Sequence, residues 1–244
     1  MGKKFVSIPQ SILNELAKIK NTQAILLTGS RMLGRTSLNS DWDFFLILKD
    51  GSSRWRKTWK IGDTWIEVLA NNQNQINKEF GIDQKDGRGA TTHAFAIGQI
   101  VRDNKANVLK KLTSKAKDIW KRGPEELSKE KINFINYNIS TYIQDLEDCL
   151  HDNNPALLLI NQAVDEFVRH YFRIKRIWLV RSKDRSKKFS QQAPGFYSIV
   201  LQINRSSDWR RKAKLTIQLG KAIGRRFKLP LDGQVHTPPQ QDED

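Results

Sequence analysis

The sequence predicts an α+β protein in which a small mixed sheet with flanking helices is followed by a C-terminal helical bundle. Short apolar strands alternate with helical segments as far as residue 121, and a Gly-Pro pair at 123–124 breaks this pattern. Beyond that break every apolar pattern has helical spacing. We therefore expect an α/β domain at 1–121, a helical bundle at 122–231 and a disordered acidic tail at 232–244.

The first region contains five apolar stretches that are typical of strands: residues 23–28, 41–49, 58–61, 64–70 and 93–102, the last at least after Gly98. The third and fourth stretches flank Gly62 and Asp63, which predicts a hairpin with a two-residue turn. Three further segments have apolar residues at helical spacing: residues 11–20, 71–80 and 105–120. Gly81 is expected to end the second of these helices, and a loop at 87–92 is expected to follow.

The second region is predicted to form about four helices: residues 125–152, 155–180, 196–204 and 208–227. The polar, basic residues 181–190 are expected to connect the second of these helices to the third. Positive charge is concentrated here, because residues 169–228 contain 18 Lys and Arg but only Asp184 and Asp208 as acidic residues. With a net charge of +16 for the whole chain, such a region attracts polyanions.

The composition is that of a cytoplasmic protein without a membrane partner. No apolar run approaches the roughly 18 residues that a membrane-spanning helix needs. The N-terminus lacks the apolar segment of a signal peptide. A single cysteine, Cys149, excludes an intrachain disulfide and fits a reducing cytosol.

The first two strands bring phosphate-binding and metal-binding residue types to one end of the predicted sheet. The first strand runs into Gly29 and Ser30, where the missing Cβ lets backbone N–H groups approach an anion and the hydroxyl adds a donor. The second strand opens on Asp41 and Asp43, which share a face about 7 Å apart because side chains alternate along a strand. A bound divalent cation such as Mg²⁺ best offsets their repulsion. Either pattern alone is also common in ordinary turns and solvated edges; together they favour phosphoryl transfer.

A third carboxylate, Glu67, lies among bulky residues of the fourth strand. Because burying an unpaired charge is costly, we expect it to have a functional partner; the alternative is a position on a solvated sheet face.

These residues resemble the signature of the DNA polymerase β-type nucleotidyltransferase superfamily, in the small stand-alone branch that includes kanamycin-, streptomycin- and lincosamide-modifying enzymes. The matching residues are Gly29-Ser30-Arg31, Gly34, Ser40-Asp41-Trp42-Asp43 and Glu67. The resemblance implies that Gly29, Ser30 and the motif residue Ser40 bind a nucleoside triphosphate such as ATP. It further implies two Mg²⁺ ions on the three carboxylates, transfer of a nucleoside monophosphate to an acceptor hydroxyl, and release of pyrophosphate. Glu67 would complete the second metal site or help to deprotonate the acceptor.

Further cations are expected to neutralise the triphosphate. Arg31 directly follows Gly29 and Ser30. Small members of the superfamily have a lysine after the long bundle helix, and Lys187 or Lys188 matches that position only approximately. All three are also compatible with a solvated basic surface.

The charge favours RNA, for example tRNA, over a polycationic aminoglycoside as the acceptor. Aromatic residues interleave with the basic ones and provide either base-stacking surfaces or helix core: Trp178, Phe189, Tyr197 and Trp209. The other functions that fit are an antibiotic nucleotidyltransferase, a non-catalytic antitoxin-like partner that keeps the fold, and an RNA-binding module with incidental acids. Three intact carboxylates argue against the last two, because a binding module has no need of them.

Overall fold

The computed structural model describes residues 6–34 and 40–232. The chain divides into two compact units, Met1–Pro124 and Glu125–Asp244, each with its own core. No helix in the described ranges is long and apolar enough to cross a membrane. The acidic tail predicted at the C-terminus lies outside these ranges, apart from its first residue.

The first unit is built on a mixed sheet, which confirms the predicted fold class. Within the described residues the sheet has five strands: β1 (Thr22–Thr28), β2 (Trp42–Leu48), β3 (Trp55–Ile61), β4 (Thr64–Asn72) and β5 (Gln99–Arg102). Their order is β3-β4-β2-β1-β5, with β2 and β4 parallel and the other neighbours antiparallel. Four α-helices accompany them in the described part of this unit: α1 (Gln10–Ala17), α2 (Gln73–Asp86), α3 (Ala90–Ile97) and α4 (Val108–Arg122).

Each face of the sheet packs on different helices. One face buries Phe44 and Val68 in a cluster with Leu16 of α1. On the other face, Phe45 of β2 lies 5.0 Å from the ring of Phe95 on α3, centre to centre. Because side chains alternate along a strand, residue 43 shares this second face with Phe45.

Two elements of the first unit differ from the prediction. Helix α2 continues through Gly81 to Asp86. A glycine inside a helix costs about 1 kcal/mol, but the capping box at Asn72 and the buried Phe80 stabilise the helix before it, and the buried Asp83 anchors the helix after it. The first half of the strand predicted from residue 93 is instead α3, where Asp83 accepts hydrogen bonds from the N–H groups of residues 90 and 92. Only the part after Gly98 is a strand.

The second unit contains five helices among its described residues: α5 (Lys129–His151), α6 (Leu157–Ile174), α7 (Ser182–Gln192), α8 (Pro194–Arg205) and α9 (Trp209–Phe227). Helix α6 therefore ends six residues before the predicted end. The predicted basic connection at 181–190 is wrong, because this stretch forms most of α7. Phe189 of α7 is buried, and its ring centre lies 5.4 Å from that of Tyr171 on α6. Phe189 and Trp178 thus belong to the core and offer no stacking surface.

A buried histidine of α6 makes the stability of the protein sensitive to acid. The Nε2 atom of His170 lies 2.7 Å from Oδ1 of Asn138. Burial, with a smaller contribution from the charge of Arg169, lowers the pKa of His170 from 6.5 to about 4. Between pH 6.5 and about 4, His170 is therefore protonated in the unfolded chain but neutral in the folded chain.

We expect the free energy of unfolding to fall by about 3 kcal/mol as the pH drops from 6.5 to 4, and His170→Gln to remove this part of the pH dependence. Urea unfolding at several pH values measures the effect. The exposed His151, changed to Gln, is the control: the hydrogen bond with Asp152 raises the pKa of His151, so losing this group should leave the fall in stability towards acid in place. An acid dependence in His170→Gln equal to that of the wild type would show that another group is responsible.

Candidate active site

The pairing of three strands brings Asp43 and Glu67 to one face of the sheet. In β1 and β2, Thr28 lies opposite Asp43, and in β2 and β4, Asp43 lies opposite Glu67. Paired residues in neighbouring strands point to the same face, so these three form a row across the sheet. The neighbouring Trp42 and Ile66 point to the other face and are buried in the core.

Asp41 immediately precedes β2 and completes a carboxylate trio with Asp43 and Glu67. One carboxylate oxygen from each residue lies within 4.8 Å of the other two, and all three residues are half-buried. Carboxylates this close repel one another, and the repulsion is stronger where water is partly excluded. Oxygen ligands at this spacing are suited to a hard divalent cation such as Mg²⁺.

The turn after β1 lies directly against this trio. Gly29 has φ 76° and ψ −158°, a conformation that only glycine adopts readily. A Cβ atom at this position would lie 1.8 Å from Oδ2 of Asp43, so the absent side chain is what allows the backbone to approach the carboxylate. Ser30 follows at the start of a short 3₁₀ turn, Ser30–Leu33. The predicted phosphate-binding pair and the predicted metal ligands are therefore adjacent.

Arg31 ties the glycine turn to the segment that leads into β2. Its Nε donates a hydrogen bond to the carbonyl oxygen of Asp41 at 3.0 Å, and its Nη2 donates to that of Ser40 at 2.7 Å. The guanidinium carbon also lies 4.3 Å from the ring centre of Trp42, within the range of a cation–π interaction. Arg31 thus fixes the backbone that presents Asp41; a direct contact with a triphosphate stays a prediction.

The two candidate lysines lie on α7 in the second unit. Lys187 is exposed and Lys188 is half-buried. Their part in triphosphate binding stays a prediction.

A contact that the sequence analysis missed joins Glu67 to the outer strand β3. The guanidinium of Arg56 forms an ion pair with the Glu67 carboxylate, and the Arg56 side chain is 70% exposed. The hairpin register provided a signal for it: the Gly62-Asp63 turn puts Thr58 opposite Glu67, and Arg56 lies two residues further along the same face. The Glu67 carboxylate therefore has two possible partners: the guanidinium of Arg56 and a cation bound by the acidic trio.

Removing this arginine is expected to strengthen divalent-ion binding. In Arg56→Gln the trio loses a nearby positive charge that competes for Glu67, but exposure to water limits the gain. We expect the Kd for Mn²⁺, measured by calorimetric titration at low salt, to fall about two- to fivefold. Lys57→Gln removes the same charge from the opposite face of β3 and is the matched control. Weaker binding in Arg56→Gln would exclude competition between Arg56 and the ion.

The fold is similar to the crystal structure of a nucleotidyltransferase-like protein from Exiguobacterium sibiricum 255-15, with a TM-score of 0.54 and 14% sequence identity. The match covers 89% of this chain and 73% of that protein's chain. No protein-family model matches the sequence, and no curated protein matches it. At this identity the similarity shows the fold and does not single out the small stand-alone branch. This chain therefore has a nucleotidyltransferase fold, with an acidic trio and a glycine turn side by side at one end of its sheet.

Proposed function

We propose that this protein is a Mg²⁺-dependent nucleotidyltransferase that moves a nucleoside monophosphate from a nucleoside triphosphate to an acceptor hydroxyl. The observation that supports the proposal is the convergence of Asp41, Asp43 and Glu67 beside Gly29. Holding three carboxylates together costs free energy that a bound divalent cation offsets. A glycine turn against such a centre is suited to the phosphates of the donor.

Each residue has a role in this proposal that follows from its position. Gly29 and Ser30 bind the β- and γ-phosphates through backbone N–H groups and the serine hydroxyl. Asp41 and Asp43 would hold the metal, which would supply positive charge to the entering and leaving oxygens.

Glu67 lies on the other side of Asp43 from Gly29 in the strand order. In this proposal the acceptor enters from that side. Glu67 would either complete the site for a second ion or accept the proton of the acceptor hydroxyl as that oxygen forms a bond to the α-phosphorus. The bond from the α-phosphorus to its bridging oxygen breaks at the same time, and pyrophosphate leaves.

The charge of the chain supports RNA as the acceptor. The second unit exposes a row of basic side chains on α9: Arg210, Arg211, Lys214, Lys221, Arg225 and Arg226. One of these, Lys221, forms an ion pair with Glu147, and the others increase the positive potential of the surface. A polycationic aminoglycoside would be repelled by this surface, whereas an RNA phosphate backbone would be attracted to it.

The test is incubation of the protein with each nucleoside triphosphate labelled at the α-phosphate, Mg²⁺, and either tRNA, total RNA or an aminoglycoside. We expect label in RNA, with an equal amount of pyrophosphate released, and neither product after chelation of Mg²⁺. Label in the aminoglycoside would instead assign antibiotic modification. RNA binding without any transfer, unchanged in Asp41→Asn, would contradict the enzyme and indicate a binding module.

A further inference from the structure

The hairpin of β3 and β4 presents an exposed tryptophan on the sheet face that carries Glu67. Lys60 lies opposite Trp65 in this hairpin, and Thr58 lies opposite Glu67 in the next pair of the same face. The Trp65 side chain is therefore about 7 Å along the strand from that of Glu67. Trp65 is 47% exposed, and the ammonium group of Lys60 lies 5.0 Å from its ring centre.

The exposure of Trp65 differs from that of the other tryptophans in this sheet. Trp42 is 6% exposed, and Trp55 and Trp59 pack partly against the core on the other face. A single exposed aromatic residue is common on protein surfaces, so exposure alone assigns no function to Trp65. Its position on the sheet face of the acidic trio, with a lysine against its ring, is what indicates a ligand. A nucleobase is suited to this position, because each of the four bases has a flat face that can stack on tryptophan.

The strand order favours the acceptor over the donor as the nucleotide that stacks on Trp65. The glycine turn follows β1, whereas the hairpin uses β3, and β1 and β3 lie on opposite sides of the β2–β4 pair that carries Asp43 and Glu67. In phosphoryl transfer the attacking and leaving oxygens lie roughly in line on opposite sides of the phosphorus. If the leaving pyrophosphate lies at Gly29, the acceptor approaches from the side of β3.

We propose that Trp65 and Lys60 form a subsite for the acceptor strand, in which a base near the reacting hydroxyl stacks on Trp65 and a neighbouring phosphate pairs with Lys60. The orientation towards the acceptor rests on the proposed function. The chemistry of the subsite, an aromatic face beside a cation at the edge of the sheet, is that of single-stranded nucleic-acid binding.

Binding without any triphosphate tests the subsite independently of catalysis. The probe is a short fluorescein-labelled oligoadenylate, single-stranded, whose anisotropy is measured with the full chain. We expect Trp65→Ala to raise the Kd about tenfold, and Trp65→Phe to restore most of the affinity because a stacking face remains. Lys60→Gln is expected to raise the Kd severalfold and to lower the slope of log Kd against log salt concentration by about one.

The matched control is Lys57→Gln, because Lys57 sits 5.6 Å from the ring centre of Trp59 on the opposite face of the same strand. Lys57→Gln is expected to change the Kd for oligoadenylate less than twofold and to keep the wild-type slope of log Kd against log salt concentration. Equal effects of Lys57→Gln and Lys60→Gln would show that net charge alone governs binding and would overturn the subsite. Trp65→Ala removes an exposed side chain, and an unchanged melting temperature verifies its folding.

Kinetics separate the subsite from the proposed function. If RNA is extended, Trp65→Ala should raise the KM for RNA about tenfold and leave the KM for the triphosphate unchanged. A raised KM for the triphosphate alone would assign the ring to the donor base and overturn the acceptor subsite. Weakened oligoadenylate binding in Trp65→Ala, combined with no transfer to any acceptor, would support the nucleic-acid subsite and contradict the enzyme. Nucleotidyl transfer with the KM and Kd of the wild type in both Trp65→Ala and Lys60→Gln would overturn the subsite but not the proposed enzyme activity.

Discussion

Asp43→Asn is expected to lower the rate of nucleotidyl transfer at least about a thousandfold in a protein that stays folded. Asp43 occupies the centre of the row, with Thr28 on one side and Glu67 on the other, and its carboxylate touches the glycine turn. An amide keeps the shape of the side chain but removes the negative charge that holds a divalent ion. A loss of about 4 kcal/mol of transition-state stabilisation corresponds to this factor, because each ~1.4 kcal/mol is tenfold in rate. Asp41→Asn is expected to behave in the same way.

Stability distinguishes a lost metal ligand from a damaged fold. Because the three carboxylates repel one another without an ion, Asp43→Asn should melt at the same temperature as the wild type or higher in a chelator. The rise in melting temperature that Mg²⁺ gives the wild type should disappear. Asp63→Asn makes the same change at an exposed position in the nearby hairpin turn and should retain activity and the Mg²⁺ effect. Wild-type turnover in Asp43→Asn would contradict the assignment of the active site.

Local patterns predicted the parts of the site that depend on neighbours in the sequence. Alternation along β2 was enough to put Asp41 and Asp43 on one face, and Gly29-Ser30 marked the turn. The position of Glu67 depends on which strands lie next to β4. The two-residue turn predicts the pairing of β4 with β3, but nothing local in the sequence predicts that β2 lies on the other side of β4. Only that second, parallel pairing brings Glu67 beside Asp43.

Helix α7 and Arg31 show why other parts could not be predicted. The composition of α7 is polar and basic, and the two residues that it buries, Arg185 and Phe189, find their partners on α6. Its stability therefore comes from tertiary contacts rather than from helical periodicity. Arg31 was predicted from its charge to bind phosphates, but its hydrogen bonds to two backbone carbonyls depend on the path of the chain before β2.

Gly29→Ala is expected to reduce transfer about a hundredfold or more, although it adds only one methyl group. The new Cβ would lie 1.8 Å from Oδ2 of Asp43, so either the carboxylate leaves the trio or the turn moves away from it. Displacement of a reacting group by about 1 Å can cost about a hundredfold in rate. The backbone conformation, φ 76° and ψ −158°, adds about 1–3 kcal/mol of strain for a residue with a side chain. Both the rate and the melting temperature should therefore fall.

Gly34→Ala separates the clash from the strain. Gly34 also has a positive φ, 65°, but a Cβ there meets nothing within 4 Å among the residues that the structure describes. This variant should lose about 1–2 kcal/mol of stability because of its left-handed backbone, yet keep its affinity for Mn²⁺ and most of its activity. Gly29→Ala should lose both, since its methyl group competes with the ion for the position of the Asp43 carboxylate. Equal activities of the two variants would mean that contact between the glycine turn and Asp43 contributes nothing to the reaction, and the donor phosphates would have to bind elsewhere.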